Sequence, residues 1–525
     1  MNAPVGEAWL VGGGIASLAA AALLIRDGGM DGSRIHVLEQ GSVFGGSLDG
    51  SGDAEAGYLI RGGRMFEPHF GCTYNLFASI PSLDDPARSV TEEIHAFTER
   101  FLPSSHCRIV RGGRRVEAPA LQLSARDVHD LVLLCLLPER ALRARAIEAH
   151  FRPAFFASDF WLMFSTMFAF QTWHSLAEMR RYMRRFMHLL PGLSRLEGIQ
   201  RTPLNQYDSL VAPLLAWLQA QGVDLRSDCR VMDVRFDSTA SPSRVIGIHV
   251  EEGGLPRAID VPAEDLVFVT LGSMTDASST GDWSSPPAVT PEASPAWDLW
   301  RRIASRSRAF GRPQVFASDP ARSRWESFTV TLRDPAFFDH MEAFTGNAAG
   351  TGGLVTFADS SWQLSIVLPH QPHFRGQPDD AWVFWGYGLA PDARGDRVSG
   401  RMRDCRGEDL VREVFHHLGI TEHFDAWTRS ARCVPCMMPF ITSQFMPRSA
   451  GDRPTVIPEG ARNFAVLGQF CELPDDTVFT VEYSVRSAQT AVYGLLGLDR
   501  RPTPLYRGFE RPAVVGRALR TLLAT

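Results

Sequence analysis

Short apolar runs punctuated by glycine open the chain. Ala8–Val11 is apolar throughout and ends in Gly12-Gly13-Gly14, after which Leu18–Ile25 is an unbroken apolar stretch. A second short run, Arg34–Leu38, stops at Glu39. Four or five residues suit a strand buried on both faces, and the longer run suits a buried helix. The pattern predicts strand, loop, helix and strand in one βαβ unit. Similar signals return far downstream: a helix over 205–221, strands over Arg230–Phe236, Asp265–Thr270 and Asn463–Leu467, and a helix over Val478–Leu496. The expected architecture is α/β, with a discontinuous Rossmann-like domain built from residues 1–85, 203–285 and 430–497. Residues 86–202 and 286–429 then form an α+β substrate lobe, and 498–525 a C-terminal helical tail.

Chemistry concentrates where the strands end. Gly12, Gly14 and Ser17 form a GxGxxS loop, which lets backbone N–H groups approach a pyrophosphate at a helix N-terminus. Glu39 ends the second strand, placed to accept ribose hydroxyls. A second glycine pair follows in Gly45-Gly46-Ser47 and suits FAD better than NAD, since the longer cofactor runs on past the first phosphate loop. The loop Arg61-Gly62-Gly63-Arg64-Met65 extends the expected FAD site, with Val231, Ser273, Gly468 and Asp475 at later element ends.

Composition narrows the class. The 525 residues are long enough for two or three lobes, and a net charge of −6 gives no argument for nucleic acid. Eight cysteines are scattered, and only Cys433-Val-Pro-Cys436 has metal-like or redox-like spacing. Without a second pair, ordinary packing and no metal are expected. Met1-Asn2-Ala3-Pro4 lacks the positive region of a signal peptide. The longest apolar runs, Ile15–Ile25 and Leu131–Leu137, fall short of the ~20 residues of a membrane span. A cytoplasmic protein is expected, with peripheral contact to an anionic membrane left open. That contact would involve the tail, where six arginines face one acid, Glu510, for a net of 6 − 1 = +5 over 500–525. Pro512 suits a helix start, and Val515, Ala518, Leu519 and Leu522 share one face. Packing on the body and settling on a bilayer both fit that face.

Residues 155–190, "FFASDFWLMFSTMFAFQTWHSLAEMRRYMRRFMHLL", are dense in Phe, Trp and Met beside Arg180, Arg181, Arg184 and Arg185. A long apolar ligand with an anionic head fits such a mixture, as does a packed core with a solvated helix face. The strings "RGGRMFEPHF", "FAFQTWHSLAEMRRYMRRFMH", "TPLNQYDS", "PCMMPFITSQFMPR" and "GQFCELPDDTVFTVEYSVRSAQTAVY" resemble, in order, the oleate hydratase family, formerly called myosin-cross-reactive antigens. The resemblance implies FAD and the non-redox addition of water across the cis-9 double bond of oleate, giving 10-hydroxystearate. It implies Tyr182 as the acid toward the alkene, Gln206 and Thr442 near the fatty-acid carboxylate, and Gln444 and Arg448 as the next positions of that cluster. It leaves monomer and homodimer open.

One position departs from the pattern. Relatives read RGGRE at the glycine loop, with the glutamate orienting or activating water; here the residue is Met65, a thioether that takes no proton. Glu67 is the nearest carboxylate, and water activation and a structural ion pair both fit it; His69 is expected to pack. A flavin oxidoreductase acting on a fatty acid or amine, or a non-catalytic FAD- and lipid-binding protein, are the competing functions.

Overall fold

Ala8–Val11 lies at the centre of a five-stranded parallel sheet in the order Phe464–Leu467, Leu266–Thr270, Ala8–Val11, Ile35–Leu38, Asp224–Arg226. The computed structural model describes residues 6–63, 65–117, 119–237, 244–289 and 294–524. Arg64 of the glycine loop therefore lies outside the described residues. Leu10 pairs in register with Val37 on one side and Phe268 on the other, and the strand is buried along its whole length. Helix Ile15–Arg26 follows and packs on helix Val481–Leu495 through its buried Ala19–Ala22 run, small enough for close approach.

Two later elements lie outside the parallel sheet. Cys229–Asp237 leaves the parallel sheet and pairs with Arg244–Glu252 in a three-stranded antiparallel sheet. Its alternating burial at Cys229 and Val231 is the pattern of a strand with one wet face. Arg432–Met438, counted by the sequence division with the cofactor segments, instead joins an eight-stranded mixed sheet, as does Ser279–Thr280. That sheet is centred on Trp325–Leu332, buried at every residue, between Arg432–Met438 and Trp382–Gly388. Cys433 and Cys436 are three apart on a strand and so face opposite ways. They belong to two separate apolar cores, one of them roofed by helix Gly407–Leu418, which removes any shared chelation. Burial pushes the Cys436 thiol up to about 12.

The aromatic stretch forms two helices, Asp159–Phe168 and Leu176–Arg185, N-capped by Ser158 and Ser175. In the second, Glu178, Arg181, Tyr182 and Arg185 fall at i, i+3, i+4 and i+7, a single stripe. The stripe is buried rather than solvated. Glu178 accepts from Arg448 Nε at 2.8 Å and Arg453 Nη1 at 3.0 Å. Arg181 pairs with Glu139 at 2.8 Å and Glu472 at 2.6 Å. Arg185 pairs with Glu67 at 2.8 Å.

The tail forms helix Pro512–Leu523 with proline in its first turn. Val514, Ala518 and Leu522 are buried, and the helix packs on the Met187–Gly192 turn and on helix Ala125–Leu136. Val515 and Leu519 are half-buried along the same groove, while Arg517 and Arg520 are exposed. Part of the apolar face thus packs on the protein's own body. Among the described residues no helix is long and apolar enough to cross a membrane.

Burial opposes ionisation of Glu178, but Arg453, Arg448 and Arg181 outweigh it and hold the carboxyl at about 2, below its ordinary 4.5. The folded value is the lower one, so this group's stabilisation is complete above about pH 4.5 and is lost as pH falls toward 2. Glu178→Gln leaves three guanidinium groups without that counter-charge and is expected to lower stability by about 3–5 kcal/mol. Denaturant unfolding from pH 7 to pH 3 should show the gap between variant and parent closing as the solution is acidified.

Candidate functional site

The glycine loop after Ala8–Val11 folds back on itself by close approach. Gly45 N–H donates to the Gly13 carbonyl at 2.9 Å, and Gly46, at φ +58°, lies so near Gly14 that a Cβ there would meet the Gly14 Cα at 3.1 Å. Glu39 lies beside this loop. Its carboxylate accepts from Gly13 N–H at 2.6 Å and Gly41 N–H at 2.8 Å. Burial raises its pKa, against those amides. Ser17 turns inward and hydrogen-bonds Thr270 Oγ1 at 3.0 Å, tying helix to strand. Val231 follows Cys229, whose N–H donates to the Glu39 carbonyl at 2.8 Å. Gly468 donates to Ser487 Oγ at 3.0 Å, and Ser273 Oγ accepts from Thr275 N–H at 3.3 Å. Of the acid pair after Leu473, Asp475 turns outward toward Arg507 at 3.5 Å, while Asp476 is buried against Arg486 at 2.8 Å.

Gly62, Gly63 and Met65 form a wall between two cavities. The first is lined by Ser47, Asp49, Arg201, Gln206 and His373, with Arg61 held nearby by Asp49 at 3.1 Å. The second, about 100 Å³, holds Tyr182, Glu67, Phe168, Trp325, Trp385 and Tyr387. Trp385 and Tyr387 alternate on one strand, and Trp325 is on its neighbour; ring centroids are 4.7 Å apart for the first pair and 5.1 Å for Trp325–Tyr387. The indole Nε1 groups of Trp325 and Trp385 are buried with no protein acceptor among the described residues. Period-two aromatics in "WVFWGYG" were the available signal for this wall, but nothing in the string says which cavity they face.

Tyr182 is buried in an aromatic cage of Phe168, Phe170, Phe186 and Phe445, with centroids 4.9–5.7 Å away. Its hydroxyl donates to the Val478 carbonyl at 2.6 Å. Val478 lies two residues before Thr480, the N-cap of helix Val481–Leu495. The Tyr182 hydroxyl therefore meets the segment that leads into the positive end of that helix, where negative charge is favoured.

Glu67 faces a different set of partners. Oε1 meets Arg185 Nη1 at 2.8 Å; Oε2 meets His69 Nδ1 at 2.9 Å and His188 Nε2 at 3.2 Å. Burial opposes ionisation, but His188, His69 and Arg185 prevail and hold the carboxyl well below the usual range. The ligand atoms of Glu67, His69 and His188 lie within 4.8 Å of one another, yet the adjacent guanidinium makes this a carboxylate–cation cluster. His69 also stacks on Tyr506 of the tail at 3.7 Å.

The expected carboxylate-binding group is not brought together. Gln206 lines the first cavity, whereas Thr442, Gln444 and Arg448 are not among the described lining residues of either cavity. Thr442 Oγ1 donates to the Ser323 carbonyl at 2.9 Å, and Gln444 donates to the Ile441 carbonyl at 3.1 Å. Arg448 is neutralised by Glu178 at 2.8 Å and Glu472 at 3.0 Å.

The architecture as a whole is shared with solved structures. Cyclohexylamine oxidase from Brevibacterium oxydans IH-35A matches with a TM-score of 0.53 at 13% identity, over 95% of this chain and 100% of that one. Putrescine oxidase bound to putrescine matches at 0.51 and 12% identity, over 94% and 99%. These likenesses establish the fold alone. In sequence, the chain is 40% identical over 505 residues to an oleate hydratase of Streptococcus pyogenes serotype M49 (strain NZ131), covering 94% of this chain and 86% of that protein. It is 29% identical over 545 residues to a linoleate hydratase of Lactiplantibacillus plantarum, covering 94% of each. The MCRA family model matches residues 6–493, and with nearly the whole chain so accounted for, this protein belongs to the MCRA family.

Proposed function

We propose that the protein adds water across the cis-9 double bond of an unsaturated fatty acid, converting oleate to 10-hydroxystearate on an FAD-loaded fold. The observation that carries this reading is Tyr182: a buried hydroxyl in an apolar cavity, beside the glycine loop, in a chain 40% identical to an oleate hydratase. The cofactor residues fit a dinucleotide. The Gly14–Gly46 approach leaves no room for side chains where backbone must meet phosphate, and Glu39 offers a buried acceptor at the strand end. Gly12, Gly14, Gly46, Ser47 and Glu39 would hold FAD, with Arg61–Gly63 and Met65 along its path. When bound, the flavin supplies a flat wall and electrostatic support for developing positive charge.

This chain's own groups account for the proton. Tyr182 gives its hydroxyl proton to C9, water adds its oxygen at C10, and the proton that water sheds returns to the phenolate. Nothing is oxidised or reduced overall. The Val478 carbonyl holds the hydroxyl, and Thr480 and Val481, at the start of helix Val481–Leu495, line the same cavity. The aromatic cage keeps bulk water from the alkene face while fixing the acid against it, an advantage of position. Met65 contributes bulk and no proton acceptor. Glu67, held by Arg185, His69 and His188, is a weak base whose work is to hold Arg185 and the tyrosine helix in place.

Tyr182→Phe removes only the hydroxyl. Hydration of oleate, followed by mass spectrometry of the product, is expected to fall at least ~100-fold while flavin content stays the same. Near-normal turnover would end the assignment. A wild-type protein that converts oleate only with an electron acceptor present would be an oxidoreductase.

Glu39→Ala should weaken FAD binding by about 1–3 kcal/mol, read by flavin fluorescence titration, because ribose hydroxyls lose their acceptor. An unchanged affinity would remove Glu39 from the cofactor site.

Glu67→Gln is expected to lower the unfolding temperature while leaving kcat per folded, flavin-loaded molecule close to that of the parent. Abolished turnover in a fully folded variant would instead make Glu67 the group that activates water.

A further inference from the structure

Glu413 and His417 stand one turn apart on helix Gly407–Leu418, at i and i+4, and so share one face of it. That face meets the loop leaving strand Trp382–Gly388, which bends back on itself through an isolated bridge between Arg394 and Arg401. Glu413 is fully buried and grips the loop by its backbone. Oε1 accepts from Asp396 N–H at 2.5 Å, Oε2 accepts from Val398 N–H at 2.9 Å, and Arg397 N–H is shared between them. A Cβ at Gly395 would meet Glu413 Oε1 at 3.1 Å and the Val398 carbonyl at 2.6 Å, so glycine permits this approach. Asp396 is fixed in turn by Ser361, whose Oγ donates to Oδ1 at 2.7 Å and whose N–H donates to Oδ2 at 2.8 Å.

His417 completes a triangle. Its Nε2 lies 3.3 Å from Asp396 Oδ2 and 3.6 Å from Glu413 Oε1, and the three atoms are within 4.8 Å of one another. His417 is only 8% exposed, and its Nε2 is buried with no hydrogen bond among the described residues. Both gaps are wider than a hydrogen bond of ~2.9 Å. They match instead the ~3.4 Å edge of a tetrahedron whose ligand atoms stand ~2.1 Å from a zinc ion. Burial opposes ionisation of both acids, but Ser361 on Asp396, and His417 with the loop amides on Glu413, hold each below its ordinary range. Two carboxylates against one imidazole leave the cluster anionic in either form of the ring. Among the described residues no guanidinium pairs with either acid, in contrast to Glu67 beside Arg185. Asp396 is exposed, which gives an ion a way in.

We propose that Asp396, Glu413 and His417 bind a zinc ion, which fastens the 394–401 loop to the helix roofing the eight-stranded sheet. One imidazole nitrogen with carboxylate oxygens suits zinc, whereas magnesium and calcium take oxygen ligands. Three protein ligands leave the fourth position to water. The ion's work is mechanical. Helix Gly407–Leu418 packs in the core that holds Trp362 and Phe415, and Tyr182 belongs to the other core. Cysteine spacing, on which the expectation of no metal rests, says nothing of this cluster. Only Glu413 and His417 are neighbours along the chain, and the folded loop brings the third ligand to them.

Calorimetric titration of the full-length, flavin-loaded protein with Zn²⁺ tests the site. A bound equivalent is expected that Asp396→Asn and His417→Gln each weaken at least ~10-fold, since even the loss of an outer-shell partner costs ~10- to 100-fold in metal affinity. Mg²⁺ and Ca²⁺ should bind at least ~10-fold more weakly than Zn²⁺, because neither favours the imidazole. Hydrogen exchange at the amides of 394–401 should slow when Zn²⁺ is added to the parent and stay unchanged in Asp396→Asn. His417 stacks on Phe357, so its replacement risks the fold; Asp396 is on the surface, and asparagine there keeps an acceptor for Ser361. A zinc affinity that Asp396→Asn leaves intact overturns the proposal. So does Mg²⁺ binding as tight as that of Zn²⁺, or exchange at 394–401 that Zn²⁺ does not slow in the parent.

Discussion

Glu178 accepts from two arginines in the protein interior, and the placement of the tyrosine helix depends on that match. One turn later Arg181 meets Glu139 and Glu472, and one further turn on, Arg185 meets Glu67. Buried charges tolerate little displacement, because each ångström of separation exposes two ions to an environment that solvates them poorly. Tyr182 lies within this stripe. Its hydroxyl is therefore aimed by ion pairs on either side, and the cage of phenyl rings only has to fill space around it.

The same network joins parts that are distant in sequence. Arg448 and Arg453 follow the eight-stranded sheet, Asp476 and Arg486 flank the N-terminus of the last nucleotide-domain helix, and Glu67 follows the glycine loop. The glycine loop, the Tyr182 cavity and the tail consequently share one set of supports. Tyr506 on His69 and Arg184 over Phe509 extend it to the C-terminal segment. A change in any one part reaches the others through fixed charges, which is why a structural role for Glu67 and an effect on activity are hard to separate without per-molecule kinetics.

Methionine at position 65, where the resemblance leads one to expect glutamate, has a physical setting. Residue 65 stands across from Arg201, so a carboxylate there would face a guanidinium. With methionine at 65, the wall between the cavities is apolar.

Local pattern alone was enough to read the βαβ unit, its glycine loop, Glu39 at the strand end and the tail helix opening at Pro512. Each depends on a period, a backbone conformation or a cap set by neighbours within a few residues. The resemblance singled out Tyr182 and Gln206, but their surroundings were beyond it. The arginines of "MRRYMRRF" fitted an anionic ligand and a solvated face equally, because their partners lie at 67, 139 and 472, far along the chain. Asp475 and Asp476 are equivalent as letters, and only packing turned one out and one in. Arg448 looked like a carboxylate receptor until Glu178 and Glu472 proved to occupy it. Tertiary structure decided these points because the free energy of a charge is set by what surrounds it in space, and a one-dimensional pattern carries period and propensity but not desolvation.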